Sequence, residues 1–254
     1  IFSQNDNGDE SLKDGVYTDW HENGEKKSEG KFKSGEKVGQ WVSWYDNGKK
    51  ENQGSFENGN LTGLWTFWHE NGKKKSEEHY KIFSRFYGGR KIINGDESLK
   101  DGLYTDYHEN GAKKSEGTFI EGYKYKNWIF WYENGQKSRE GKYTDGHRLG
   151  LWTEWYENGQ KKTHGEYRRP KYGERGYRYS NDEKNNAKKT GIWTEWYDNG
   201  QKKSEGVLKT VKGTYSGEYE KRFGLWNEWH KNGQKKLEHN FTGYGSLYTT
   251  WYEN

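Results

Sequence analysis

The 254-residue sequence contains no cysteine and no methionine. Disulfides, thiolate metal sites and cysteine nucleophiles are therefore excluded. Hydrophobic residues make up only 28% of it and charged residues 32%, a balance that on aliphatic content alone would point to disorder. No apolar run approaches the ~18 residues of a membrane-spanning helix, and no signal-peptide core is visible. Compartment stays open on these grounds. There is no phosphate loop and no nucleophile elbow. An excess of one charge sign is also missing: 43 Lys and Arg stand against 39 Asp and Glu, for a formal net charge of +4. Acids precede and lysines follow the same short motif in nearly every copy, so the basic footprint of a nucleic-acid binder is not formed.

What the chain does have is aromatic residues, 18% of the total, arranged in a repeat. Gly150-Leu-Trp-Thr-Glu-Trp-Tyr-Glu-Asn-Gly-Gln-Lys-Lys162 returns as Gly191-Ile-Trp-Thr-Glu-Trp-Tyr-Asp-Asn-Gly-Gln-Lys-Lys203. The Asn-Gly pair recurs at Gly24, Gly48 and Gly72, at Gly111, Gly135 and Gly159, and again at Gly200 and Gly233, with 24 residues between neighbours in each trio. A period of this size marks an array of one supersecondary unit. Each unit reads as a β-hairpin, because Asn-Gly between two strand-like runs is a strong turn signal in which both residues can take positive φ. Glycines at the start of each unit and after the second run (Gly15 and Gly30, Gly39 and Gly54, Gly150 and Gly165) oppose a helix and suit strand ends and bulges.

All 14 Trp fall in the first strand of a unit. The pairs Trp41 and Trp44, Trp65 and Trp68, Trp128 and Trp131, Trp152 and Trp155, Trp193 and Trp196, and Trp226 and Trp229 supply the core that the missing Leu and Val do not, at ~150–250 Å² buried per ring. Alternation places Trp152 and Tyr156 on one face and Trp155 on the other, absent a bulge. One ladder is expected to form the core. The other either packs under the next strand's Lys stems or stays open as a binding stripe.

On a larger scale, Asn7-Gly-Asp-Glu-Ser-Leu-Lys-Asp-Gly15 recurs as Asn94 to Gly102. The expected organisation is a first hairpin trio with its lead-in at 1–80, an insertion at 81–101, a second trio at 102–167, an insertion at 168–190, and a third trio at 191–254 with its last hairpin incomplete. The insertions, the second of which holds the only proline, Pro170, read as loops suited to recognition. Lys209–Phe223 reads as one more long connection. The final run Leu247 to Asn254 stops one residue before a turn glycine. It is therefore expected to be a segment of a longer array, or an open strand whose Tyr248, Trp251 and Tyr252 form an assembly edge.

The unit Gly-x-Trp-x-x-Trp-Tyr-x-Asn-Gly-x-Lys-Lys-x-x-Gly-x-Tyr resembles the MORN-repeat variant of many bacterial proteins, some of which are labelled antitoxins of toxin–antitoxin systems. The resemblance covers residues 15–80, 102–167 and 191–254. It implies an all-β, elongated, twisted array of hairpins, a meander or solenoid with about eight full repeats plus a partial one. Lys126 and Ser246 depart from it where a unit would begin with Gly, as do Tyr17 and Tyr104 in place of the first Trp. The aromatics and Asn-Gly pairs also resemble cell-wall-binding repeats, which hold choline or glucan, although those are shorter and lack the Lys-Lys-x-x-Gly strand.

Candidate chemistry is thin. His21, His69, His108 and His230 stand where Tyr45, Tyr132, Tyr156 and Tyr197 stand in other units, and His79, His147, His164 and His239 occur singly, without metal-ligand spacing. Asn5 to Glu10 resembles a calcium loop, but its second copy has Ile92 and Ile93 in place of Asn5 and Asp6. The sequence thus reads as a non-enzyme without cofactor or metal, a structural or scaffolding repeat that is a segment or subunit of a filament or surface fibre. Its partner is protein, through end-to-end self-association or a different chain, with no nucleic acid; membrane or glycan contact has no support. A soluble partner-binding protein of the antitoxin kind is the first alternative, and a glycan-binding aromatic module the second.

Overall fold

The computed structural model describes residues 14–84, 86–87, 90–91, 97–169, 187–213, 217–242 and 245–251. The described residues contain strands, turns and no helix. The chain divides into two compact units, Ile1–Gly111 and Ala112–Asn254.

In the first unit, β1 (Gly15–Trp20), β2 (Lys26–Lys33), β3 (Glu36–Trp44), β4 (Lys50–Glu57), β5 (Asn60–Trp68) and β6 (Lys74–Phe83) are joined in sequence as antiparallel neighbours. A small ladder of β7 (Phe86–Tyr87) and β8 (Arg90–Lys91) follows, and β9 (Glu97–Tyr107) then pairs with β6. The second unit repeats the meander through β10 (Lys113–Ile120), β11 (Tyr123–Trp131), β12 (Lys137–Thr144), β13 (His147–Trp155), β14 (Lys161–Arg168), β15 (Lys188–Trp196), β16 (Lys202–Gly213), β17 (Gly217–Trp229), β18 (Lys235–Thr242) and β19 (Gly245–Thr250). The fold is an all-β array of hairpins.

Two kinds of turn alternate, and they are not the ones the sequence suggested. At the recurrent Asn-Gly, the residue before the turn both accepts from the glycine N–H and donates to the residue after it: Gly24 N to His21 O is 3.0 Å and His21 N to Glu25 O is 2.8 Å. This is a three-residue loop in which the glycine alone is left-handed, with φ of 76–88° at the eight positions from Gly24 to Gly233. The preceding asparagines stay out of that region, because their side chains fold back instead: Asn23 Oδ1 accepts from Glu25 N at 3.0 Å. The two-residue turn with both φ positive lies at the opposite end of the strands, at Ser34-Gly35, Asn58-Gly59, Glu121-Gly122 and Asp145-Gly146.

The glycine of the second strand is not a bulge or end residue either. A methyl group at Gly30 would lie 2.1 Å from the Trp41 ring, and the same holds for Gly54 and Trp65 (2.2 Å), Gly117 and Trp128 (2.2 Å), Gly141 and Trp152 (2.3 Å), Gly165 and Trp193 (2.3 Å) and Gly206 and Trp226 (2.1 Å). Each first-strand indole lies flat on bare backbone of the preceding hairpin. In five of the six its N–H then reaches the carbonyl just beyond that glycine, as in Trp41 Nε1 to Lys31 O at 3.2 Å and Trp152 Nε1 to Lys142 O at 3.2 Å; Trp226 instead sets its Cε3 edge on Gly206, and its Nε1 is buried without a hydrogen-bond partner. To bring the ring there, the first strand bulges at its own leading glycine: the register jumps from Gly141↔Trp152 to Lys142↔Leu149, and Gly150 adopts φ 69°. Lys126, the departure from the leading glycine, is held at φ 60° in the same bulge.

One exception obeys the same steric rule: where the aromatic is the smaller Tyr104, its partner is Glu78. In the backbone register of the last pair, His239 stands opposite Tyr248. Ser246 leads the latter strand, and there the ladder runs without a bulge.

Between the indoles, second-strand rings stand on edge. Phe32 and Trp41 meet at 5.1 Å and 85°, Trp41 and Phe56 at 6.0 Å and 81°, Tyr143 and Trp152 at 4.9 Å and 84°, and Tyr167 and Trp193 at 5.2 Å and 88°. Edge-to-face pairs of this kind add about 0.5–1.5 kcal/mol each beyond the area they bury. Cations close the ladder from above: Lys37, Lys124, Arg148, Lys189 and Arg222 lie 4.3–4.9 Å from the indole four residues on. Burial there holds the Lys37 ammonium below its usual pKa.

The stretches read as loops are partly strand. Lys81–Phe83 pairs with Glu97–Leu99, Lys188–Thr190 belongs to β15, and Lys209–Gly213 pairs with Gly217–Lys221 at the far end of β16 and β17. Pro170 and Asn5 to Glu10 lie outside the described residues.

Two outcomes are expected in equilibrium denaturation. Gly141→Ala should destabilise the second unit by about 1–3 kcal/mol through overpacking against Trp152, and Trp152→Tyr in the same chain should recover part of that loss, as the Glu78–Tyr104 pairing indicates; strictly additive effects would contradict the account. Lys126→Gly should stabilise by about 1–2 kcal/mol, the penalty of a left-handed side-chain-bearing residue.

Candidate interaction surface

The turn edge of each unit is built by two side chains that reach one hairpin forward. Tyr45 Oη donates to Trp68 O at 2.8 Å, Tyr132 to Trp155 O at 2.7 Å, Tyr156 to Trp196 O at 2.9 Å and Tyr197 to Trp229 O at 2.9 Å. His21 Nε2 lies 2.8 Å from Trp44 O, so that nitrogen is the N–H donor, and His69 approaches Tyr107 O at 3.3 Å. The histidines therefore substitute for tyrosine as donors. Beside them, the turn asparagines donate to the acid of the next turn: Asn23 to Asp46 O (2.7 Å), Asn47 to Glu70 O (3.1 Å), Asn71 to Glu109 O (2.9 Å), Asn134 to Glu157 O (2.8 Å) and Asn158 to Asp198 O (2.6 Å). One asparagine thus closes its own turn with Oδ1 and fixes the next with Nδ2.

The second Trp of each pair lies on the face opposite the core ladder. Each is half-buried beneath a lysine of the preceding hairpin: Lys26 over Trp44 (5.9 Å), Lys50 over Trp68 (5.6 Å), Lys113 over Trp131 (5.6 Å), Lys137 over Trp155 (5.9 Å), Lys161 over Trp196 (5.8 Å) and Lys202 over Trp229 (5.7 Å). This ladder packs under lysine, but the lysine comes from the preceding hairpin and not from the next strand as expected. Four of these six lysines also meet a carboxylate three residues on, Glu29 (2.5 Å), Glu116 (2.6 Å), Glu140 (2.7 Å) and Glu205 (2.8 Å), and Lys74 at the equivalent position meets Glu77 (2.6 Å). The Lys74 hydrogen bond holds the Glu77 carboxyl below its usual range, and Lys202 does the same to Glu205.

A third row on that face went unnoticed in the sequence. In six repeats the residue just before the first Trp or Tyr is apolar and exposed: Val16 (66%), Leu64 (50%) and Leu103 (69%) in the first unit, and Leu151 (62%), Ile192 (65%) and Leu225 (50%) in the second. Its neighbour Trp points into the core, so alternation sends it outward. The signal was present as a column of Val, Leu, Leu, Leu, Ile and Leu broken by Gln40 and Asn127, but nothing local distinguishes it from core.

Of the expected assembly edge, Trp251 is exposed with Lys235 5.4 Å over its ring, and Trp251 N donates to Lys236 O. Tyr248 lies in β19 opposite His239, and Tyr252 lies outside the described residues. No group of three or more potential metal-ligating side chains occurs among the described residues. A buried polar constellation, Glu78 with Ser76 (2.8 Å), Tyr80 (2.6 Å) and Lys100 (3.0 Å), is a self-contained packing solution at the Tyr104 seat.

Comparison with known proteins gives a family match. The model described as MORN repeat variant matches residues 13–34, 37–58, 61–81, 100–121, 148–169 and 189–209. No curated protein matches the chain. Among solved structures the chain is similar to one in the crystal structure of TcdB2-TccC3, at 8% identity and a TM-score of 0.22, over 92% of this chain and 15% of that one. So loose an overlap identifies neither a fold nor a function.

Tyr132 supplies a pH-dependent prediction. Burial, then Glu157 and Glu154, raises its hydroxyl pKa, and only the neutral form donates to Trp155 O. A group whose folded pKa is raised contributes stability in full below its unfolded pKa, about 10, and loses it as pH rises through the folded value. Tyr132→Phe should therefore cost about 1 kcal/mol at neutral pH, with the difference from the parent shrinking at alkaline pH; a pH-independent difference would count against the bond.

Proposed function

The chain belongs to the MORN repeat variant family, and from that premise we propose that it is a structural repeat protein acting as a subunit or segment of an extended protein assembly. Members of the family are generally non-catalytic modules of structure and protein interaction. The observation that carries the finer reading is the row of aliphatic side chains half or more exposed at a fixed place in the repeat, three of them, Leu151, Ile192 and Leu225, in successive hairpins. Monomeric proteins keep such residues scattered, whereas a contiguous apolar row marks a surface for another protein. The turn edge supports the same reading, because its asparagine and tyrosine stitches hold neighbouring hairpins at one spacing.

The glycan alternative gains less. A sugar stacks on an open aromatic face, and the outward Trp rings are already covered by ammonium groups. The antitoxin alternative uses the same aliphatic row, with a different protein seated on it.

The test is the mass of purified particles by light scattering, with their dimensions by negative-stain imaging. Concentration-dependent growth beyond a single chain is the expected outcome; a monomer at every concentration would remove the assembly reading and leave the antitoxin alternative.

A further inference from the structure

We propose that the row Leu151, Ile192 and Leu225 in the second unit is a self-association face that pairs with the same face of a second copy. The inference rests on the assembly reading and goes beyond it by assigning the contact and the partner.

Three observations favour a second copy as the occupant. The first is periodicity. Leu151, Ile192 and Leu225 stand at the same position of β13, β15 and β17, each two strand spacings from the next, roughly 9–10 Å. A partner that meets all three needs apolar groups at that same interval, and a second copy has them by construction. A two-fold axis makes the contact self-complementary.

The second is charge. A face of unmatched lysines would repel its own copy, but here the lysines over the outward Trp are largely neutralised within the chain. Lys113 is paired with Glu116 at 2.6 Å, Lys137 with Glu140 at 2.7 Å and Lys202 with Glu205 at 2.8 Å, and Lys235 is paired with Glu238. Lys161, whose third neighbour is His164, is the exception. Glu166, exposed on β14 directly across from Leu151, is an isolated acid beside the row; single charges of both signs leave no field of one sign for a strongly acidic or basic partner to complement.

The third is area. β13 to β18 present six adjacent strands, and at ~4.8 Å between strands and ~3.3 Å per residue the face measures roughly 700 Å². Stable interfaces use about 800 Å² per partner. Phe223, 45% exposed beneath Lys209 at 3.4 Å, extends the apolar area beside Leu225.

The absence of cysteine makes the chain a clean host for cross-linking. Sedimentation equilibrium of the full chain should show self-association that Leu151→Asp with Ile192→Asp weakens at least tenfold, while near-ultraviolet circular dichroism stays unchanged because both side chains are already solvent-exposed. Ile192→Cys should form a disulfide-linked dimer under mild oxidation, and Gln40→Cys, at the polar break of the equivalent row, should not. If the parent assembles and the aspartate variant assembles equally well, the face is wrong while the assembly reading stands. If the parent is monomeric throughout, both fall. If Gln40→Cys cross-links as readily as Ile192→Cys, the encounter is random and the inference is overturned.

Discussion

The contact on which this structure depends is the flat seating of an indole ring on a glycine of the preceding hairpin. At 2.1–2.3 Å from ring atoms to where a Cβ would be, no side chain fits. The consequence is a core built from backbone and aromatic rings, with little need for the aliphatic residues the chain lacks. The bulge, the left-handed leading glycine and the indole hydrogen bond all follow from bringing the ring to that seat. So does the exposed aliphatic row, because the bulge residue beside a buried Trp has nowhere to go but outward.

Each seat joins one hairpin to the next, and the turn-edge stitches do the same at the other end of the strands. Stability is thereby distributed over successive interfaces, as expected for a nearest-neighbour array. The Glu78–Tyr104 seat in the first unit shows how the array accommodates change. A smaller ring leaves room for a side chain, and the buried carboxylate is then satisfied by Ser76, Tyr80 and Lys100. Burial raises the Tyr80 and Tyr104 hydroxyl pKa values, so both remain neutral, and Tyr80 donates to Glu78.

Much of the architecture was legible in the sequence because it is local. The period, the hairpins, the two Trp faces and the family resemblance all rest on residues within one 24-residue unit, where alternation and turn composition suffice. The misreadings share a cause. Asn-Gly promised a two-residue turn, yet the asparagine side chain closes a longer loop and reaches the next turn, and that second bond is invisible within a single unit. The long connections were read as loops because they break the period, although Lys81–Phe83 and Lys209–Gly213 simply prolong strands whose partners prolong too.

By itself, then, the sequence determined that the chain is an all-β array of hairpins with aromatics in place of an aliphatic core. Only the tertiary structure decided which glycine is conformational and which is steric, which Trp is core and which lies under lysine, and which residues face solvent. The reason is physical. Those properties are set by what the neighbouring hairpin places opposite each residue, 10 to 40 positions away in the chain, and a pattern read along one strand records only which side a residue faces, not what it meets there.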